Sequence, residues 1–102
     1  MRDYDEAVYD VVTAIPPGKV LSYGDIAEYL GSGGARRVAQ AMSRSAGAAR
    51  GDGQLPWHRV VRTDGTPAPH LRIEQLARLR AEGAPVRGDR VDMAAARWDG
   101  RD

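Results

Sequence analysis

Residues 22–44 read S-Y-G-D-I-A-E-Y-L-G-S-G-G-A-R-R-V-A-Q-A-M-S-R, two short helical patterns separated by a glycine-containing break. Ser22 and Asp25 have the spacing of a capping box, in which each side chain satisfies a backbone N–H that the first turn leaves unpaired. Ile26, Ala27 and Leu30 then form an apolar stripe, and Gly31 suits the left-handed residue that closes a helix. After the break, Ala35, Val38, Ala41 and Met42 predict the buried stripe of a second helix. Its other face carries Arg36, Gln40, Ser43 and Arg44, with Ala39 keeping the surface low beside them. Two helices joined this way are the sequence form of a helix-turn-helix. Arginines among small side chains make the second one suited to close approach on a polyanion.

The flanking segments extend this reading. Tyr4, Val8, Val11, Val12 and Ile15 recur at helical spacing over residues 3–15, with Asp3 and Glu6 as a second capping-box pair. P-P-G at 16–18 stops that helix, and K-V-L is a short extended link. Residues 45–54, S-A-G-A-A-R-G-D-G-Q, show no periodicity and predict a loop. H-R-V-V-R-T-D-G-T-P predicts a short β-ribbon, with V-V as strand and D-G as turn. A last helix is expected from Leu71 to Glu82, with Ile73, Leu76 and Leu79 inward and Gly83 as its stop. Val91, Met93 and Trp98 of the tail are expected to pack back onto the core. The predicted fold is mainly α: a winged helix-turn-helix-like single domain, residues 1–102, with a short β-ribbon.

Composition narrows the function. A chain of 102 residues has room for one core and no second catalytic lobe. It has no cysteine, which excludes disulfides, thiol catalysis and cysteine-ligated zinc. No apolar run reaches the length of a membrane span, and M-R-D-Y-D-E lacks a signal-peptide pattern, so no membrane role and a cytoplasmic location are expected. Net charge is only +1, but it is polarised. Between residues 36 and 62, six arginines face Asp52 alone, a local +5 that leaves −4 for the rest of the chain. A chain so divided can offer one basic face to a polyanion while staying near neutral overall.

The second informative stretch is L-P-W-H-R-V-V, residues 55–61, which places one of only two tryptophans beside one of only two histidines. Taken singly, its residues have plain explanations. A tryptophan is most often core, an isolated arginine a solvated charge, and a tyrosine at a helix start a packing residue. His58 and His70 stand in separate segments at no metal-binding spacing, so neither metal nor cofactor is expected.

Taken together, P-P-G-K-V-L-S-Y-G-D-I-A, A-R-R-V-A-Q-A-M, P-W-H-R-V-V and L-R-A-E-G occur in the order found in the C-terminal domain of the O6-alkylguanine-DNA alkyltransferases. The chain resembles that family over nearly its whole length, and its alkyltransferase-like members most. The resemblance implies that Trp57 stands at the position of the alkyl-accepting cysteine. An indole nitrogen has its lone pair in the aromatic system, so Trp57 can pack, stack or donate one hydrogen bond but cannot attack an alkyl group. Aligning the A-E-G end puts Leu76 at the family's activating glutamate, with Glu74 nearby in another register. His58 is therefore expected to be structural. T-P-A-P-H-L replaces a longer serine-glycine substrate loop and predicts a more open pocket wall.

The resemblance also implies a binding apparatus. Arg36 corresponds to the arginine that enters the base stack, and Tyr23 to the tyrosine that pushes the 3′ phosphate as the nucleotide rotates out. Arg37 and Arg44 would contact phosphates, and Gln40 would lie close to the minor groove. Pro56, Trp57, His58, Arg59 and Val60 would form the lesion pocket. The expected protein is a monomeric, non-enzymatic sensor in the bacterial cytoplasm at the nucleoid. It would bind double-stranded DNA containing O6-alkylguanine and flag the lesion to nucleotide-excision repair proteins. Two rival readings are a sequence-specific helix-turn-helix regulator and a residual transferase or hydrolase using His58.

Overall fold

The computed structural model describes residues 3–45, 49–50 and 53–101. Helix α1 spans Tyr4–Ala14, and the Asp3 carboxylate caps it by accepting from Glu6 N at 2.8 Å. Val8, Val11 and Val12 form its buried face, and Ile15, just past its end, is buried with them. The chain then extends into a short strand, β1 (Leu21–Ser22).

Helix α2 (Tyr23–Leu30) starts on the capping box read from the sequence. Asp25 N donates to Ser22 Oγ and Ser22 N donates to Asp25 Oδ2, both at 2.9 Å. Gly31 closes it in the left-handed conformation, at φ 79°. Helix α3 (Gly34–Arg44) follows after a turn through Gly33, at φ 92°. A side chain at that glycine would run into the Tyr4 ring, which packs against the turn while its hydroxyl donates to Ser32 O at 2.8 Å. Val38 and Ala41 of α3 are buried against α1 and α2. Ala35, predicted to share that stripe, is exposed in the first turn.

Of the loop predicted over 45–54, residues 46–48 and 51–52 lie outside the described residues. The pieces on either side form an antiparallel pair, β2 (Ala49–Arg50) with β3 (Gly53–Gln54). The predicted ribbon at 58–67 is not a hairpin. Trp57–Arg59 form a 3₁₀ turn, and β4 (Val60–Val61) runs parallel to β1, with Leu21 opposite Val60 and Ser22 opposite Val61. Val60 and Val61 are both buried, and pairing with a distant strand serves two apolar residues better than an exposed hairpin does.

A second 3₁₀ turn, Pro69–Leu71, leads into helix α4 (Arg72–Ala81). Leu76 and Leu79 face inward as predicted, but Ile73 is 85% exposed. The third inward residue is the polar Gln75. An antiparallel ribbon of β5 (Val86–Arg87) and β6 (Arg90–Val91) follows, then α5 (Met93–Ala96). Val91 and Ala96 join Val20, Val61, Leu79 and Ala84 in a second apolar cluster, with Met93 packed on it. Trp98 packs against the first cluster. The architecture is mainly helical, with short strands that tie segments together. Among the described residues, no helix is long and apolar enough to cross a membrane.

Candidate functional site

The β1–β4 pairing brings the two informative stretches together. Ser22 ends β1 and caps α2, so Tyr23 emerges at the head of α2. Val60 begins β4 directly after the turn that carries Trp57. Tyr23 and Trp57 both line one open cavity of about 750 Å³. Ala39, Met42 and Ser43 of α3 contribute one wall, and Ala68, His70 and Leu71 contribute another. The third wall is α4, through Glu74, Gln75 and Arg78.

Trp57 is held from two sides. Its ring meets the His58 ring edge-on, with centroids 6.1 Å apart and planes at 85°. The Arg78 guanidinium carbon lies 5.6 Å from the indole centroid, within the range of cation–π attraction. Arg78 is oriented in turn by Glu74, one turn earlier on α4, whose Oε2 accepts from its Nε and Nη2 at 3.1 and 2.8 Å. The backbone beneath the indole is fixed by Gln75, whose buried amide donates to the carbonyls of His58 and Val60 at 3.1 and 2.8 Å. A polar side chain on the inward face of α4 thus satisfies carbonyls that a 3₁₀ turn exposes.

The structure divides the predicted pocket residues. Trp57 and Val60 line the cavity. Pro56 caps the 3₁₀ turn and is half-buried. His58 and Arg59 turn away from the cavity toward Glu82, at the end of α4. His58 Nε2 lies 2.8 Å from Glu82 Oε2, and Arg59 donates to the same carboxylate through Nε and Nη2 at 3.0 and 2.6 Å. Arg59 Nη1 also donates to Ile15 O at 2.8 Å, tying the end of α1 to the end of α4.

This corrects the alignment that placed Leu76 at the carboxylate position. Leu76 is buried core, whereas Glu82 of A-E-G is the acid that meets His58. Burial alone would raise the Glu82 carboxyl. The hydrogen bonds from Arg59 and His58 together outweigh it and lower the pKa to about 2. Because a carboxylate can only accept, His58 donates to it from Nε2, and Nδ1 is buried without a hydrogen-bond partner among the described residues.

The basic residues of α3 also separate. Arg36 and Gln40 are exposed, and among the described residues neither side chain makes a hydrogen bond or ion pair. Arg37 lies over the Tyr4 ring, its guanidinium carbon 4.2 Å from the centroid. Arg44 makes a bidentate pair with Asp5 of α1 at 2.7 and 2.9 Å. Tyr23 is half-buried, and that burial pushes its phenol pKa up against the opposing charge of Arg62.

Sequence reasoning missed Glu82, Gln75 and the Glu74–Arg78 pair. The one available signal for Gln75 was a polar residue at an inward helical position. Among the described residues, no group of three or more His, Cys, Asp or Glu side chains could hold a metal ion.

A helix-turn-helix with a cavity between its second helix and a tryptophan-bearing turn defines a class, and comparison places the chain in it. Residues 3–84 match the family model for the 6-O-methylguanine DNA methyltransferase DNA-binding domain, and the chain belongs to that family. Relatives narrow this further. The chain is 38% identical over 101 residues to a DNA base-flipping protein of Escherichia coli (strain K12), covering 94% of this chain and 74% of that one. It is 43% identical over 91 residues to Alkyltransferase-like protein 1 of Schizosaccharomyces pombe, covering 84% of this chain and 81% of that one. The crystal structure of S. pombe Atl1 in complex with damaged DNA containing O6-carboxymethylguanine superposes with a TM-score of 0.78 at 32% identity. It covers 97% of this chain and 99% of that one. The Mycobacterium tuberculosis O6-methylguanine methyltransferase superposes less closely, with a TM-score of 0.58 at 27% identity over 80% of this chain and 49% of that one.

Proposed function

We propose that this protein is a non-enzymatic sensor of O6-alkylguanine. It binds duplex DNA through the minor groove, everts the alkylated base into the cavity beside Trp57, and retains it. The carrying observation is the shared cavity: Tyr23 and Trp57 line it together, and α3 forms its wall with Arg36 exposed on the same helix. Eversion costs a few kcal/mol, least for a poorly paired base, and an arginine filling the vacated stack offsets part of that cost. Tyr23 takes the role of phosphate lever and Arg36 that of stack filler. Gln40 and the low surface at Ala39 approach the groove, while Arg37 and Arg44 reach phosphates only by leaving Tyr4 and Asp5.

Trp57 at the acceptor position supports retention over repair, since an indole offers no nucleophile. The whole chain acts as one DNA-binding domain and as a monomer in the bacterial cytoplasm. The persistent complex flags the lesion for nucleotide-excision repair proteins. The relatives named for base flipping and for alkyltransferase likeness support this reading.

Eversion is tested with a duplex carrying 2-aminopurine as the target base, whose fluorescence rises when it leaves the stack. The wild type brightens it, and Tyr23→Ala and Arg36→Ala do so much less. A signal equal in all three would remove the eversion mechanism.

A rival reading has His58 activate water against the alkyl group, which requires it to leave Glu82 and swing into the cavity. It predicts free methanol and unmodified guanine after prolonged incubation of an O6-methylguanine duplex with excess protein. Quantitative recovery of O6-methylguanine, with no mass added to the protein, excludes it.

A further inference from the structure

Among the described residues two arginines line the cavity, and the structure uses them differently. Arg78 is bound twice by Glu74 and rests over the Trp57 indole. Arg62 is exposed, and among the described residues its guanidinium makes no hydrogen bond or ion pair. Its backbone, by contrast, is fixed. Arg62 N donates to Thr66 O at 2.9 Å, and its carbonyl accepts from Gly65 N at 2.8 Å. Gly65 O then accepts from Val91 N at 2.9 Å, which binds this turn to the C-terminal ribbon. The β1–β4 register ends with Ser22 opposite Val61, so Tyr23 and Arg62 are the next residues on the two segments. Both line the cavity, and the charge of Arg62 is felt at the Tyr23 phenol. Asp64 lies two residues on, but its Oδ1 is occupied by Thr66 N and Oγ1 at 3.0 and 2.6 Å.

An arginine anchored at its backbone and free at its head group is suited to an anionic oxygen. The guanidinium is always charged and offers several donors in a planar fork. We propose that Arg62 is a further binding residue of this cavity and donates to an anionic oxygen of the nucleotide held beside Trp57. Two sources share that chemistry: the nucleotide's own phosphate near Tyr23, or the carboxylate of an acidic O6 substituent. This inference rests on the eversion reading. It adds a cation that the α3 arginines do not supply.

The test titrates wild type, Arg62→Ala, Arg62→Lys and Arg62→Glu against duplexes containing O6-methylguanine, O6-carboxymethylguanine or guanine, at two salt concentrations. Thermal unfolding of each variant establishes that the exposed substitutions leave the fold intact. Arg62→Ala is expected to lose about tenfold or more in affinity for at least one lesion duplex, the size of a charge-assisted hydrogen bond. Arg62→Lys recovers most of the loss, and Arg62→Glu deepens it. Loss confined to the carboxymethyl duplex identifies the substituent carboxylate. Equal loss on both lesions, with a shallower salt dependence, identifies the phosphate.

Unchanged affinity of Arg62→Ala and Arg62→Glu for both lesion duplexes overturns the proposal. So does an equal loss on the guanine duplex, which would place the contact outside the cavity. Wild type that prefers neither lesion sinks the eversion reading. Wild type that prefers them, with variants matching it, sinks this inference alone.

Discussion

His58 Nε2 and Glu82 Oε2 stand 2.8 Å apart, and the same carboxylate takes two donors from Arg59. One acid thus fixes the back of the Trp57 turn, while Arg59 carries the connection on to the end of α1. The front of that turn faces the cavity, so the rigidity of the cavity wall depends on a network that lies outside the cavity. Glu82→Gln removes the charge while keeping the shape and leaves Arg59 without its compensating carboxylate in a largely buried setting. We predict a destabilisation of about 3 kcal/mol in urea unfolding, the scale for breaking one side of a buried pair. A loss below about 1 kcal/mol would mean that solvent screens the network.

The same network gives a pH signature. The folded-state pKa of Glu82, about 2, lies below its ordinary 4.5, so the stabilisation is fully present above pH 4.5 and is lost as pH falls toward 2. Wild-type stability should fall across that window by more than the stability of Glu82→Gln does. Parallel acid-unfolding curves for the two proteins would refute the assignment.

Gln75→Leu keeps the bulk of the side chain but strips the amide from the carbonyls of His58 and Val60. Leaving buried acceptors unmet should cost roughly 1–3 kcal/mol. Affinity for lesion duplex should fall with it, because the turn under Trp57 loosens. Ile73→Lys on the exposed face of α4 is the control, expected within about 0.5 kcal/mol of wild type. A larger cost there would mean that α4 is phased as its apolar pattern suggested.

The α3 arginines should differ in effect. Arg36 is unengaged among the described residues, whereas Arg44 is already paired with Asp5. Arg36→Ala should therefore weaken binding to an O6-methylguanine duplex more than Arg44→Ala does. The opposite order in a titration at constant salt would count against Arg36 as the residue that fills the stack.

The elements read most directly from the sequence are those specified by local chemistry. The Ser22–Asp25 box, the Gly31 stop and the P-P-G break concern residues within a few positions of one another. The parallel partner of Val60–Val61 lies 39 residues back in the chain, and no local pattern distinguishes it from the hairpin that D-G suggests. The Glu82 error has a related cause. The alignment of the A-E-G end puts Leu76 at the carboxylate position, whereas the acid of that motif, Glu82, reaches His58 only through the fold. Tyr23 and Trp57 were singled out from motifs alone, but their shared cavity depends on the strand pairing. The roles of Arg37 and Arg44 were hardest to read, because Tyr4 and Asp5 engage them from another helix.

The most direct test of the account is a binding titration of the wild type at one fixed salt concentration, using two duplexes that differ only in O6-methylguanine or guanine at one position. The account predicts clearly tighter binding to the methylated duplex, with the methyl group still on the base when the complex is taken apart. Equal affinity for the two duplexes would contradict it.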